Sequence, residues 1–245
     1  MDNQSYCTCA RCAEIDAREE SHAGATLALV NAVAERIEPL HPEVLLSTYA
    51  YQYTRKPPKT IKPRHNVLIR LCTIECSYIQ PLDGEQNQKF AADIEGWSKL
   101  AKHLFIWDYT TNYHDYLGPH PNLRVFGPNV GYFVKHGAVG LFEEGEGDDF
   151  CELKNWLLMR VMWEPHLDGE KLIDEFLRGY YGEAVAPLIK QYWDILIARA
   201  EETKIYLGCF GMNSAKWLDL ATLNQVTEIM NNAVETATKV YGPDS

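Results

Sequence analysis

The sequence lacks several features that would quickly assign it to a class. It contains no uninterrupted apolar run of about 18 residues, so it predicts no membrane-spanning helix. Positive charge is scarce: 23 lysines and arginines stand against 34 aspartates and glutamates, for a formal net charge of −11. That deficit argues against nucleic-acid binding and against docking on anionic lipid, because both need a basic surface.

Common sequence motifs are also missing. There is no GxGxxG, Walker-type GK[ST] or GxSxG motif, which argues against nucleotide-binding folds and the common serine hydrolases. The start, MDNQSYCTCARC, is polar and has no apolar segment of the kind a signal peptide needs. The seven cysteines are an odd number, so they cannot all pair within a monomer, and their count does not determine the compartment.

The first 150 residues alternate between strand and helix patterns. Residues 1–22 have no clear period and predict a loop, and the proline-rich stretch 54–66 predicts a connector without a helix. Apolar runs predict strands at 44–53, 66–72, 103–109 and 138–142. Helical spacing of apolar residues predicts helices at 26–38 and 87–102 and a short helix within 127–137.

From residue 150 onward the apolar spacing is helical throughout, and no further strand is predicted. Alternating strands and helices indicate parallel strands with helical crossovers, and four such strands are half of a (β/α)8 barrel. We therefore predict an α/β protein: the C-terminal half of a TIM-like barrel over 1–150 and an all-helical region over 151–245. The helix at 26–38 precedes any visible strand, which suggests that its strand lies upstream. A small open α/β sheet, complete in itself, is the alternative.

Several long phrases resemble a known bacterial family. They are DNQSYCTCARCAEID, LLSTYAYQYTRKPPKTIKPRHNVLIRLCTIEC, WSKLAKHLFIWDYTTNYHDYLGPHPNLRVFGPN and LIDEFLRGYYGEAV. Over roughly residues 2–190 the chain resembles the family catalogued as domain of unknown function 4838, which is placed among TIM-barrel glycoside hydrolases. The resemblance implies a secreted or periplasmic carbohydrate-active protein, although this chain shows no signal peptide. One departure is Glu144, which follows Glu143 where family members tend to have glutamine.

Acidic and aromatic residues follow the predicted strands. In a parallel barrel the chemistry gathers where strands end, and glycoside hydrolysis needs two carboxyls, one of them protonated. This position predicts four candidate catalytic residues, namely Glu143, Asp108, Glu75 and Asp2. The candidate sugar-binding residues at the same rim are Tyr49, Tyr51, Arg70, Trp107 and Tyr109. Arg70 would hold a substrate carboxylate if the sugar is a uronic acid.

Each acid also has a structural interpretation. Glu143 could cap a helix or lie in solvent, and Asp108 could bind backbone amides of its loop. Glu144 and the acids at 146, 148 and 149 fit a solvated loop, with Asp148 or Asp149 capping the next helix. Which carboxyls pair is left open by the sequence. Their separation would distinguish a retaining enzyme, at about 5–5.5 Å, from an inverting one, at about 6.5–9.5 Å.

The tight spacing Cys7-x-Cys9-x-x-Cys12 has three interpretations. The three thiols could hold a structural zinc ion, with a fourth ligand from Cys72, Cys76 or a histidine. They could instead form a local disulfide or remain free thiols. No other cofactor is expected.

The sequence thus predicts a glycoside-hydrolase-like protein that acts on poly- or oligosaccharides. The competing hypotheses are a carbohydrate-binding module without turnover and an inactive fragment of a larger barrel enzyme. A half barrel also leaves two open sheet edges, which would favour self-association.

Overall fold

The computed structural model describes residues 4–145, 149–211 and 214–243. Its sheet contains four strands in the order β1-β2-β3-β4, and every neighbouring pair is parallel. The strands are β1 (Leu46–Ala50), β2 (Val67–Cys72), β3 (His103–Tyr109) and β4 (Ala138–Glu144). Strands that follow one another in the chain lie side by side, whereas a doubly wound sheet reverses its order. The α/β fold class with four parallel strands is confirmed, and this strand order is consistent with half of a (β/α)8 barrel.

Helices precede and separate the strands. They are α1 (Ala10–Glu19), α2 (Ala23–Ile37), α3 (Gln88–Leu100) and α4 (Phe126–Lys135). The helical region that follows β4 is also confirmed within the described residues. It consists of α5 (Cys151–Trp163), α6 (Gly169–Tyr181), α7 (Ala186–Glu202), α8 (Ser214–Trp217) and α9 (Leu220–Tyr241).

The predicted loop at 1–22 is wrong, because α1 occupies half of it. Few residues of this helix are apolar, but its residue Glu19 is buried and binds the proline-rich connector at 54–66. The Glu19 carboxylate accepts hydrogen bonds from the hydroxyl and amide of Thr60 (both 2.7 Å) and from the amide of Ile61 (3.0 Å). Tertiary contacts that no local pattern reveals therefore stabilise α1, and they also explain how the β1–β2 connection is ordered without an α-helix.

The two faces of the sheet differ in burial. Val67, Ile69 and Leu71 of β2 are fully buried on one face, while the residues between them, Leu68 and Arg70, are only partly buried. Alternation of this kind is the period-2 geometry of a strand with one covered face. We refer to these sides as the buried face and the open face.

Contacts between Cα atoms divide the chain into two compact units. The first comprises Met1–Cys76, Leu82–Tyr109 and Tyr132–Glu144, and the second comprises Ser77–Pro81, Thr110–Gly131 and Gly145–Ser245. The first unit contains the whole sheet. The predicted division at residue 150 stays a prediction.

The second unit contains Asp149, an acid that the sequence assigns to a solvated loop or a helix cap. Asp149 forms a 2.9 Å ion pair with Lys154, whose side chain is almost completely buried, and its predicted role as a cap of α5 stays a prediction. Burying an ammonium group without a partner is costly, so this pair uses Asp149 as a counter-ion. The other predicted cap, Asp148, lies outside the described residues.

Two further findings concern surfaces. None of the helices in the described ranges has the length and apolarity needed to cross a bilayer. Within the described sheet, β1 and β4 each have one edge that is not paired with a strand. Self-association through these edges stays a prediction.

Glu19 generates a testable prediction about acid stability. Although burial opposes it, hydrogen bonding from Thr60 and Ile61 lowers the pKa of Glu19 from 4.5 to about 2. The unfolded chain therefore takes up a proton before the folded chain does, and the stabilisation present above pH 4.5 is lost as the pH falls towards 2. We expect Glu19→Gln to lower the free energy of unfolding by about 2 kcal/mol at neutral pH and to remove this acid-dependent loss.

Urea unfolding at a series of pH values measures both effects. Glu14→Gln, an exposed position on the same helix, is the matched control and should follow the wild type. Equal behaviour of the two variants would contradict the role of Glu19.

Candidate functional site

A one-residue bulge sets the pairing of β3 with β4. Leu104 lies opposite Ala138, but the next residue, Phe105, lies opposite Gly140, so Val139 is an extra residue in β4. Gly140 suits this position because a Cβ atom there would come within 2.7 Å of the Phe105 ring. A bulge of this kind moves all later residues of its strand by one register position.

After the bulge, Asp108 lies opposite Glu143 and Tyr109 lies opposite Glu144. Asp108 follows the buried residues Leu104 and Ile106 at alternate positions, so its side chain lies on the buried face. Directly paired residues of neighbouring strands share a face, which puts Glu143 beside Asp108. The structure thus brings together two of the four predicted catalytic acids.

The Asp108 carboxylate accepts two hydrogen bonds. Its Oδ1 atom accepts a hydrogen bond from the Thr73 hydroxyl and another, at 2.9 Å, from the Tyr109 amide. Both carboxyl oxygens of Glu143 are buried without a hydrogen-bonding partner among the described residues, and the charge that acts on them is that of Asp108. The environment therefore favours charge on Asp108 and disfavours it on Glu143.

The pKa values of the pair follow from this asymmetry. Burial raises the pKa of Asp108 from 3.8 to about 6, while the bonds from Thr73 and Tyr109 oppose the rise. Burial, followed by the charge of Asp108, raises the pKa of Glu143 well above its usual value. Two adjacent buried carboxyls cannot both ionise easily, so the pair gives up its second proton at a higher pH than its first, and Glu143 is the acid that holds this proton more tightly.

The open face carries a group of aromatic rings around one arginine. The guanidinium carbon of Arg70 lies 5.2 Å from the centre of the Phe105 ring and 5.9 Å from the rings of Tyr49 and Trp107. Trp107 also contacts Phe142, with ring centres 4.6 Å apart. We call Tyr49, Arg70, Phe105, Trp107 and Phe142, with Glu144, the aromatic face.

Glu144 belongs to the aromatic face because its Oε2 atom accepts a hydrogen bond from the indole N–H of Trp107. Arg70 makes no salt bridge with any other described residue, and its buried Nε has no hydrogen-bonding partner among them. Tyr49 is 38% exposed and Phe142 is 44% exposed. The aromatic face therefore offers stacking surfaces, a guanidinium group and a carboxyl to a ligand.

Of the remaining predicted site residues, Tyr109 is paired with Glu144 of the aromatic face, whereas Tyr51 and Glu75 contact other residues. Tyr109, at the end of β3, is buried beside Cys72. Tyr51 lies beyond the end of β1, where its hydroxyl accepts a 3.1 Å hydrogen bond from the side chain of Gln52. Glu75 forms a 2.9 Å ion pair with Arg55, which also binds Asp93 at 2.8 Å. Asp2 lies outside the described residues. The functional roles assigned to these residues stay predictions.

Three members of the aromatic face were missed from the sequence: Phe105, Phe142 and Glu144. The prediction of a solvated loop for Glu144 is wrong, since β4 continues through it and its carboxyl binds Trp107. The missed signal was the alternation in GLFEE itself, which puts Phe142 and Glu144 on one face and Glu143 on the other.

The cysteines form one cluster and several isolated thiols. The sulphur atoms of Cys7, Cys9 and Cys12 are not joined by disulfides and lie within 4.8 Å of one another. Hydrogen bonds from the backbone of Cys12 and from the neighbouring thiols lower the pKa of Cys9. Cys72 and Cys76 are buried and do not join this cluster, so the structure gives no support to a fourth ligand from either.

Comparison with known proteins gives one family. The family model described as domain of unknown function (DUF4838) matches residues 1–194. The chain belongs to the DUF4838 family. Searches of curated proteins and of solved structures found no match. The resemblance seen in the sequence is confirmed, and the matched residues include the whole sheet and the cysteine cluster of this DUF4838 protein.

The carboxyl pair generates a prediction about stability at rising pH. Both acids have raised pKa values in the folded chain, so their contribution is largest below the unfolded values of 3.8 and 4.5. It is lost as the pH rises through about 6 and beyond, because the folded chain must then release protons that the unfolded chain has already lost. We expect Glu143→Gln, which mimics the protonated acid, to flatten this decline.

Urea unfolding between pH 4.5 and neutral pH measures the slope. Glu235→Gln, at an exposed position of α9, is the control and should keep the wild-type slope. If Glu143→Gln runs parallel to the wild type across this range, the two carboxyls do not share a proton.

Proposed function

We propose that this DUF4838 protein binds an oligosaccharide on the aromatic face and hydrolyses a glycosidic bond at the carboxyl ends of β3 and β4. The observation that carries the proposal is the bulge-dependent register. It brings Glu143, a buried carboxyl whose pKa is raised well above its usual value, to the same strand end as Glu144, a carboxyl on the aromatic face.

The aromatic face has the chemistry that sugar binding needs. Sugar rings present apolar C–H surfaces, which stack on aromatic side chains, and hydroxyls, which hydrogen-bond to carboxylates and guanidinium groups. Tyr49, Trp107 and Phe142 supply the rings, and Glu144 supplies acceptors. Because Arg70 has no carboxylate partner among the described residues, the proposal favours a sugar that carries a carboxylate, such as a uronic acid.

Hydrolysis requires a proton donor for the leaving oxygen and a second carboxyl that acts as nucleophile or base. Glu143 is the proposed donor because burial and Asp108 raise its pKa well above the usual value. Asp108 would then hold Glu143 in its protonated state, and Glu144 would be the second carboxyl, facing the sugar. In this proposal Glu144, and not Asp108, is the carboxyl that works together with Glu143 in catalysis. Asp108 and Glu143 lie together on the buried face, whereas Glu144 lies on the face that would hold the sugar.

A second candidate function is carbohydrate binding without turnover. The burial of both Glu143 carboxyl oxygens favours it, because a buried acid reaches a leaving group only if the site opens. The two functions share the aromatic face and differ in the role of the carboxyls.

Variants of the aromatic face test sugar binding. We expect Trp107→Ala to weaken binding of uronic-acid-containing oligosaccharides at least about tenfold, a loss of roughly 1.4 kcal/mol, because it removes a stacking surface. Arg70→Met should remove the preference for acidic over neutral sugars. Isothermal titration calorimetry with matched acidic and neutral oligosaccharides measures both effects. Trp163→Ala, which changes a tryptophan that is 91% exposed on α5, should leave binding unchanged.

Carboxyl variants separate hydrolysis from binding. If the protein is an enzyme, Glu143→Gln and Glu144→Gln should each lower kcat by about 10²–10⁴-fold, the usual contribution of an acid or base, while sugar binding persists. Chromatography of the released sugars measures turnover, with Glu235→Gln as control. Sugar binding without turnover in the wild type would support the binding function, and the absence of any sugar binding would contradict both.

A further inference from the structure

We propose that Cys7, Cys9 and Cys12 form a thiolate site for a borderline-soft divalent metal ion of the zinc type, with a fourth coordination position open to an exchangeable ligand. Neither the family match nor the proposed sugar site assigns a role to these residues. The inference is independent of the proposed function, because it concerns a separate group of residues at the start of α1.

The first argument is geometric. The three sulphur atoms already lie within 4.8 Å of one another. Zinc binds thiolates at about 2.3 Å, so ligands of a tetrahedral site stand about 3.8 Å apart. Adjustments of roughly 1 Å, within reach of cysteine side-chain rotation, would complete three corners of a tetrahedron. Cys7 and Cys9 are exposed, so an ion can reach the cluster from solvent.

The second argument is the local chain path. Cys9 is the N-cap residue of α1 and has an extended backbone, whereas Cys12 lies in the first turn of the helix. This change of conformation brings Cys7 and Cys12 together from opposite sides of Cys9.

The open position follows from the ligand count. Among the described residues, no fourth cysteine, histidine or acid joins the three sulphur atoms within the same distance. Closed structural zinc sites have four protein ligands, whereas sites with three keep a position for water or another small ligand. A cavity of about 500 Å³ lies beside the cluster, lined by Cys7, Tyr6, Asp16 and His22 among others. It provides room for such a ligand.

His22 adds a polar wall to this cavity. Its Nδ1 lies 2.8 Å from Asp16 Oδ2, and the Tyr6 ring stacks on its imidazole with centroids 3.6 Å apart. The bond to Asp16 fixes the ring, so Nε2 is the nitrogen left for a hydrogen bond to a ligand in the cavity. His22 would therefore present a ring of fixed orientation to a small molecule bound to the metal ion.

Cobalt(II) titration of the full-length chain tests the site. The protein would be reduced, freed of metal with a chelator and titrated in the absence of oxygen. Cobalt is the probe because cobalt bound to thiolates gives a charge-transfer absorption band that it does not give with oxygen or nitrogen ligands. We expect that band to saturate at one ion per chain and to disappear when zinc is added. Replacing Cys9 with serine should abolish the band and weaken binding by roughly 100-fold or more, since it removes one of three thiolates.

Cys151→Ser, which changes a cysteine outside the cluster, is the matched control and should keep the band. Thermal unfolding of each variant checks that it folds, and Cys7→Ser and Cys12→Ser provide independent replacements if Cys9→Ser does not. No thiolate band in the reduced wild type would overturn the proposal. So would a band that survives in all three cluster variants, or a stable disulfide within the cluster under mildly reducing conditions.

Discussion

The register between β3 and β4 is the constraint on which the rest of the site depends. One extra residue, Val139, shifts β4 so that Glu143 meets Asp108 on the buried face and Glu144 reaches Trp107 on the open face. If β3 and β4 paired without the bulge, Phe142 would lie beside Asp108. The pairing of Asp108 with Glu143 and the contact of Glu144 with Trp107 therefore follow from this local irregularity, because alternation along a strand assigns every later side chain to a face.

The two faces divide the chemistry of the strand ends. Buried carboxyls on one face share a proton because desolvation and mutual repulsion disfavour double ionisation. On the other face, Arg70 is surrounded by rings and lacks a carboxylate among the described residues, so a ligand anion would supply the missing charge. Acids and bases with separated pKa values next to an aromatic surface are typical of sites that act on sugars.

Much of this fold could be predicted from the sequence. The limits of β3 were predicted at 103–109 and observed at His103–Tyr109, because its apolar run begins and ends abruptly. The convergence of Asp108 and Glu143 also followed from parallel strands ending at one edge. That Glu143, and not Glu144, shares a face with Asp108 could not be predicted, since it depends on a bulge that adds one residue to β4 and leaves the apolar pattern intact. Helix α1 escaped prediction for a related reason: its stability comes from Glu19 and the distant connector at Thr60.

The most direct test of this account is the protonation state of Glu143. Carbon-13 NMR of labelled glutamate carboxyls, assigned by comparison with Glu143→Gln, follows each titration across the pH range in which the protein is folded. The account predicts that the Glu143 signal keeps the chemical shift of a protonated acid at neutral pH and responds to the ionisation of Asp108 near pH 6. A Glu143 signal that titrates near 4.5, like an exposed glutamate, would contradict it.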